Sequence, residues 1–259
     1  MLPGRIALDR SLGRCGSNPP VPAARAQIQE SSFRSAARGR EVSMVLAAPP
    51  GSLRGLPVVV VMHGLGGNAH SMLGLHLDRY LVAAGGVPPF ALVGVDGGDT
   101  YWHRRASGDD PVTMITSEVL PRLRRLGLRT DRISALGWSM GGYGALLLAQ
   151  TLGPSRVAAV SASSPAVFTS YAHARTANAS AFDGAADFAA HDVLSGLDRL
   201  RGVAVSVDCG HSDPFAPATA QIIHGLGHPA GGLFEGCHDG AYWSRRAPAG
   251  LAFLGTHLR

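Results

Sequence analysis

The sequence has no lysine. All 23 basic side chains among its 259 residues are arginine, set against 18 Asp+Glu. That absence removes whole chemistries. Pyridoxal-phosphate enzymes and class I aldolases need a lysine amine for their Schiff base. A P-loop nucleotidase needs a lysine on its phosphates, and a kinase needs one too. Ser-Lys hydrolases are excluded in the same way. Cysteine is scarce: Cys15, Cys209 and Cys237, with no CxxC pair and no metal-ligand spacing. Long apolar runs are missing as well. The longest, near residues 56–62, falls far short of the ~20 residues that cross a bilayer.

Charge is sparse, at 16% of residues, and unevenly placed. Residues 1–40 hold seven arginines against Asp9 and Glu30, which accounts for the whole net charge of +5. The remaining 16 arginines meet 16 acids. A nucleic-acid-binding protein carries its basic excess over its folded surface, so no such partner is expected. Residues 1–30, rich in Pro, Gly, Ser and Arg and without periodicity, read as a disordered basic tail. Residues 31–259 then form one domain. The N-terminus has no apolar stretch of the signal-peptide kind, so the chain reads as cytoplasmic as written. A misassigned start would leave room for export.

Beyond the tail, short apolar runs alternate with helical patterns. Strands are expected at 40–48, 56–62, 90–95, 132–138, 157–162, 203–207 and 231–234. The run LPVVVVM is continuous and β-branched, the mark of a strand buried on both faces. Helices are expected at 71–84, 111–126, 140–152, 218–226 and 241–258. This alternation predicts an α/β fold: an open, mostly parallel sheet with helices on both faces. Residues 165–190 break the pattern and read as an insertion over the C-terminal edge of the sheet.

The strongest motif is Gly137-Trp138-Ser139-Met140-Gly141. It is a G-x-S-x-G between a strand and a helix, the context in which a sharp turn lifts a serine into the open. The helix start behind Ser139 favours negative charge. Upstream, the buried strand runs into His63-Gly64-Leu65-Gly66-Gly67. Such a turn supplies a second backbone donor for an oxyanion, so the candidate donors are the N–H groups of Met140 and Leu65, with Gly64 as the alternative. His63 reads as a structural hydrogen-bonding residue.

In α/β-hydrolases built on such a serine turn the order is Ser, acid, His. Among the histidines after Ser139, His238 follows the last strand directly and is the candidate base. Asp213 lies in the loop after the preceding strand and is the candidate acid, with Asp208 at the strand end as the alternative. Asp239 reads as an N-cap of the final helix.

The segments GWSMGGYGAL, SASSPAVF, DCGHSDPF and GCHDGAYW resemble the esterase D family of α/β-hydrolases. That family includes S-formylglutathione hydrolases, feruloyl-type esterases and mycolyltransferases. The resemblance covers the chain from about Phe33 onward. It implies Ser139, Asp213 and His238 as the triad, and Leu65 and Met140 as oxyanion donors. It also implies that the loop from Asp96 to His103 lines the substrate pocket. Trp138 and Tyr143 stand where the S-formylglutathione branch has histidines, which argues against that substrate. Asp213 stands where mycolyltransferases have Glu.

The expected activity is therefore a serine esterase working through an acyl-enzyme on a small-molecule or lipid ester, without metal or cofactor. Acyl transfer to a sugar or lipid hydroxyl and a non-catalytic binding module are the alternatives. Tyr101, Trp102 and Trp243 are read as pocket walls or core aromatics. Cys209 and Cys237 end neighbouring predicted strands, within disulfide reach. A bond between them is the alternative to two buried thiols.

Overall fold

Strand β3 (Pro57–Met62) is buried along its whole length, as its unbroken valine run requires. Its side chains alternate between two hydrophobic layers, Val58, Val60 and Met62 in one, Val59 and Val61 in the other. A strand with two apolar faces must lie mid-sheet with helices above and below. The computed structural model, which describes residues 13–258, shows this arrangement.

The sheet has eight strands. In chain order the others are β1 (Gln27–Ser35), β2 (Arg40–Ala48), β4 (Ala91–Val95), β5 (Arg129–Trp138), β6 (Val157–Ser163), β7 (Ala204–Gly210) and β8 (Ala230–Phe234). They line up as β1-β2-β4-β3-β5-β6-β7-β8. β2 is antiparallel to both β1 and β4, and every pairing from β4 to β8 is parallel. The parallel strands therefore release their loops at one common edge, where a site can be assembled from several of them.

The helices differ from expectation in informative ways. The stretch expected to be one helix at 71–84 splits into α1 (Ser71–Gly74) and α2 (Leu77–Ala83), because His76 takes a left-handed backbone at φ 59°. Helix α3 begins as α-helix over Pro111–Thr113, widens to a π-helical stretch over Met114–Val119 and returns to α-helix over Leu120–Arg125. Its start is capped by Asp110, whose side chain accepts from the Thr113 N–H. Helix α4 (Met140–Leu152) is buried along nearly its whole length. The insertion carries α5 (Tyr171–Ala177) and α6 (Ala185–Ala190). Then come α7 (Ala216–Gly225) and α8 (Gly240–His257). Side chains of α3, α4 and α7 fill one hydrophobic layer, and those of α2 and α8 the other. Among the described residues no helix is long and apolar enough to cross a membrane.

The expected basic tail needs correction. Gln27–Ser35 is the edge strand β1, paired residue for residue with β2. Only its Phe33 and Ser35 are buried, so it carries no apolar alternation that the sequence could betray. Before it, residues 13–26 lie against the body. Cys15 is disulfide-bonded to Cys237. Arg245 donates to the carbonyls of Cys15 and Ser17, at 2.8 and 2.7 Å, and Arg79 donates to the Pro22 carbonyl at 3.0 Å. Residues 1–12 lie outside the described residues. The basic excess is not confined to a tail either, since Arg38 is buried and binds Asp109 bidentately, at 2.6 and 2.9 Å.

The expected thiol arrangement is corrected at the same time. Cys237 does form a disulfide, but with Cys15, 222 positions away. Cys209 is a buried free thiol. Disulfides form and persist chiefly in oxidising environments. Alkylation of the unreduced, denatured protein should modify one cysteine, and reduction should expose two more. Cys15→Ser should lower stability by about 2–4 kcal/mol in denaturant melts.

Candidate active site

Ser139 sits between β5 and α4 at φ 55° and ψ −125°. A serine rarely adopts this backbone, which costs about 1–3 kcal/mol and persists only where the surroundings impose it. Two glycines show how tightly they do. A Cβ on Gly137 would lie 2.1 Å from the Gly141 carbonyl oxygen, and one on Gly141 would lie 1.8 Å from that of Met62. The turn therefore closes only with glycine on both sides of the serine. The insertion is tied to the same turn, since the Ala166 N–H donates to the Ser139 carbonyl at 2.9 Å.

The loops after β7 and β8 bring the two partners. His238 Nε2 lies 2.8 Å from Ser139 Oγ, and His238 Nδ1 lies 2.8 Å from Asp213 Oδ2. The Asp213 side chain is fully buried and its Oδ1 also accepts the Phe215 N–H at 2.8 Å. A carboxylate held on both oxygens orients the ring and requires the proton on Nδ1, which leaves Nε2 to accept from the serine hydroxyl. The loops brace each other directly. The His211 N–H donates to the Phe234 carbonyl at 2.7 Å, and the Ser212 N–H to that of Gly236 at 3.0 Å. The disulfide anchors the residue immediately before His238.

The alternative acid lies elsewhere. Asp208 accepts from Ser163 Oγ at 2.8 Å and stands 3.6 Å from Arg246 Nε. Burial raises its pKa, with Arg246 opposing. It is a buried strand-end acceptor. Asp239 caps α8 by accepting the Tyr242 N–H at 3.0 Å, as expected.

A family model described as "Putative esterase" matches residues 35–226. The chain belongs to the esterase family. No curated protein sequence matches it. Among solved structures, the esterase is similar to a ferulic acid esterase, at 20% identity and TM-score 0.76, covering 91% of this chain and 99% of that one. An S-formylglutathione hydrolase from Agrobacterium tumefaciens aligns at 18% identity and TM-score 0.71, covering 94% and 99%. MPT51 (FbpC1) of Mycobacterium tuberculosis aligns at 17% identity and TM-score 0.68, covering 93% and 100%. At these identities the likeness is one of fold, and it is that of α/β-hydrolases.

In this esterase Ser139 and His238 open onto a cleft of about 480 Å³, walled by Tyr101, Phe168, Phe215 and Trp243. Leu65 and Gly64 also line it, with Leu65 half exposed at the rim. The side chain of Met140 is buried, and its backbone opens α4 beside Ser139. Trp102 is corrected from a possible wall to a core residue. It is fully buried, stacks edge-on against His63 and donates from Nε1 to the His63 carbonyl at 3.2 Å. Consecutive left-handed residues, Tyr101 at φ 54° and Trp102 at φ 57°, turn one ring out to the cleft and the other inward.

Sequence reasoning missed Phe168, Phe215 and Asn178 as lining residues. Phe215 stands two residues after Asp213 in the DPF segment, which was a usable signal. Asn178 sits just beyond α5, in a weakly patterned insertion that offered none. It also missed Asp99, whose carboxylate accepts the Gly66 N–H at 2.7 Å and so braces the glycine turn.

His63 is structural. Its Nδ1 lies 2.7 Å from the Gly64 carbonyl oxygen, and its Nε2 accepts the Gly97 N–H at 3.0 Å. Accepting requires a neutral ring, and burial pushes its pKa below the ordinary 6.5. The unfolded chain then binds the proton more readily than the folded one. This contribution to stability is present above pH 6.5 and is lost as pH falls toward the depressed value. Denaturant midpoints should fall between pH 7.5 and pH 5, with a shallower slope in His63→Gln. Gly141→Ala should destabilise by at least about 3 kcal/mol in the same melts, because backbone rather than a mobile side chain blocks its Cβ.

Proposed function

We propose that the protein is a serine carboxylic-ester hydrolase that works through an acyl-enzyme on small to medium acyl esters. The observation that carries this reading is the unbroken hydrogen-bonded chain Ser139–His238–Asp213, with both links at 2.8 Å, at the floor of an aromatic cleft. Membership of the esterase family supports it.

His238 takes the Ser139 proton as the oxygen attacks the ester carbonyl. Asp213 stabilises the imidazolium that results. The oxyanion is held by the backbone N–H groups of Met140 and Leu65, with Gly64 the alternative to Leu65. One such donor is typically worth about 3 kcal/mol in the transition state. His238 then gives its proton to the leaving alcohol. Water enters by the same face and attacks the acyl carbon as His238 takes its proton; the acyl–Ser139 bond then breaks, His238 returns the proton to Ser139 Oγ, and the acid is released. Tyr101, Phe168 and Trp243 shelter the acyl and alcohol groups. The substrate is a small-molecule or lipid ester. The reading needs no metal or cofactor.

A fluorophosphonate probe and p-nitrophenyl esters of increasing chain length test it. Wild type should be labelled and should hydrolyse the shorter esters. Ser139→Ala should lose labelling altogether. Asp213→Asn should lower kcat by about 10⁴-fold, whereas Asp208→Asn should retain labelling. Unlabelled wild type would sink the reading and leave a binding module. Acyl product recovered on an added alcohol instead of in water would make the protein a transferase.

A further inference from the structure

We propose that His103, Asp187 and His191 form a binding site for a divalent cation of the zinc type, away from the Ser139 cleft, that ties the loop after β4 to the insertion. The three side chains come from two separate segments. His103 follows β4. Asp187 lies on α6, and His191, four residues on, immediately follows its last turn. This spacing puts both on one face of the helix end, as in metal sites built on a single turn.

The distances suit an ion. His191 Nδ1 lies 2.9 Å from Asp187 Oδ1, and His103 Nδ1 lies 3.7 Å from the same oxygen. The three donor atoms all fall within 4.8 Å of one another. Tetrahedral zinc with bonds of about 2.0–2.1 Å separates its ligand atoms by about 3.3 Å, between the two measured values. The imidazoles are stacked, with centroids 4.2 Å apart and planes at 22°. The His191 side chain is 26% exposed, which leaves its ring room for the small rotation that aims both in-plane lone pairs at one ion.

A mismatch of charge points the same way. Both nitrogens of the buried His103 face oxygen: Nε2 the Ala181 carbonyl at 3.3 Å, and Nδ1 the Arg104 carbonyl at 3.1 Å as well as the Asp187 carboxylate. A neutral imidazole donates from only one nitrogen. With the proton on Nε2 toward Ala181, Nδ1 presents its lone pair among oxygens, and a cation resolves the conflict. A ring nitrogen bonded to a backbone carbonyl is the usual outer support of a metal-binding histidine. Asp187 is supported too, since its Oδ2 accepts the Asp183 N–H at 2.8 Å, and Asp183 is gripped by Arg105. Two imidazoles and one carboxylate favour zinc, cobalt or nickel over calcium. The ion would stiffen the wall of the cleft, because Tyr101 stands two residues before His103.

Untagged protein, dialysed against a chelator and back into buffer, is titrated with ZnCl2 and separately with CaCl2 by calorimetry, and its thermal midpoint is read with each. The expected result is one zinc per chain, a raised midpoint and no response to calcium. His191→Gln and Asp187→Asn, both at partly exposed positions, should each bind zinc at least tenfold more weakly. His238→Gln should bind as wild type does, which separates this site from the cleft. Circular dichroism and fluorophosphonate labelling of the His191 and Asp187 variants check that they are folded, and either folded variant suffices. Absence of stoichiometric binding by wild type, or undiminished binding by a folded variant, would overturn the proposal and leave a hydrogen-bonded histidine pair.

Discussion

The backbone contact between the Ser139 turn and β3 is the constraint on which the cleft depends. At Gly141 the chain comes so near the Met62 carbonyl that only hydrogen fits. That approach brings the start of α4 against the end of β3, and so puts the glycine turn 63–67 beside Ser139. It also forces Ser139 into its positive-φ conformation. The central apolar strand supplies the rigidity that such a strained turn needs, because β3 is packed on both faces and cannot yield.

Around that contact the remaining parts are positioned by cross-links between loops. Asp213 and His238 come from the ends of adjacent parallel strands, so the ladder between β7 and β8 already sets their spacing. Backbone hydrogen bonds between the two loops refine it. The Cys15–Cys237 disulfide then draws residues far from this edge in sequence into its support. On the opposite wall, Arg105 with Asp183 and His103 with Asp187 and His191 join the β4 loop to the insertion. The cleft thus lies between two braced walls, one tied by a disulfide and one by polar clusters.

Legibility in the sequence followed the strength of the local signal. β3 and α4 were read almost residue for residue, because a valine run and a helix bounded by Ser139 and Gly153 have few alternative structures. β1 was missed because an edge strand needs apolar residues on little of its surface, and its exposed face is polar. The break at His76 and the π-helical stretch at 114–119 were invisible, since neither disturbs the hydrophobic pattern enough to show. Trp102 could not be told from Tyr101, as two adjacent aromatics look alike until the backbone turns one of them inward.

The sequence by itself determined the succession of strands β2 to β8 and of five helical stretches, the serine turn with its two glycines, and the loops from which an acid and a histidine could come. These are local properties, set by side-chain periodicity and by the few residues that tolerate a given backbone. Tertiary structure brings Asp213, the candidate the sequence already preferred, and not Asp208 to His238, and it alone decided that Cys15 and not Cys209 pairs with Cys237 and that residues 13–35 belong to the folded body. Each of these is a choice among chemically similar partners. Such choices turn on distances of a few ångströms between segments remote in the chain, which composition and spacing do not encode.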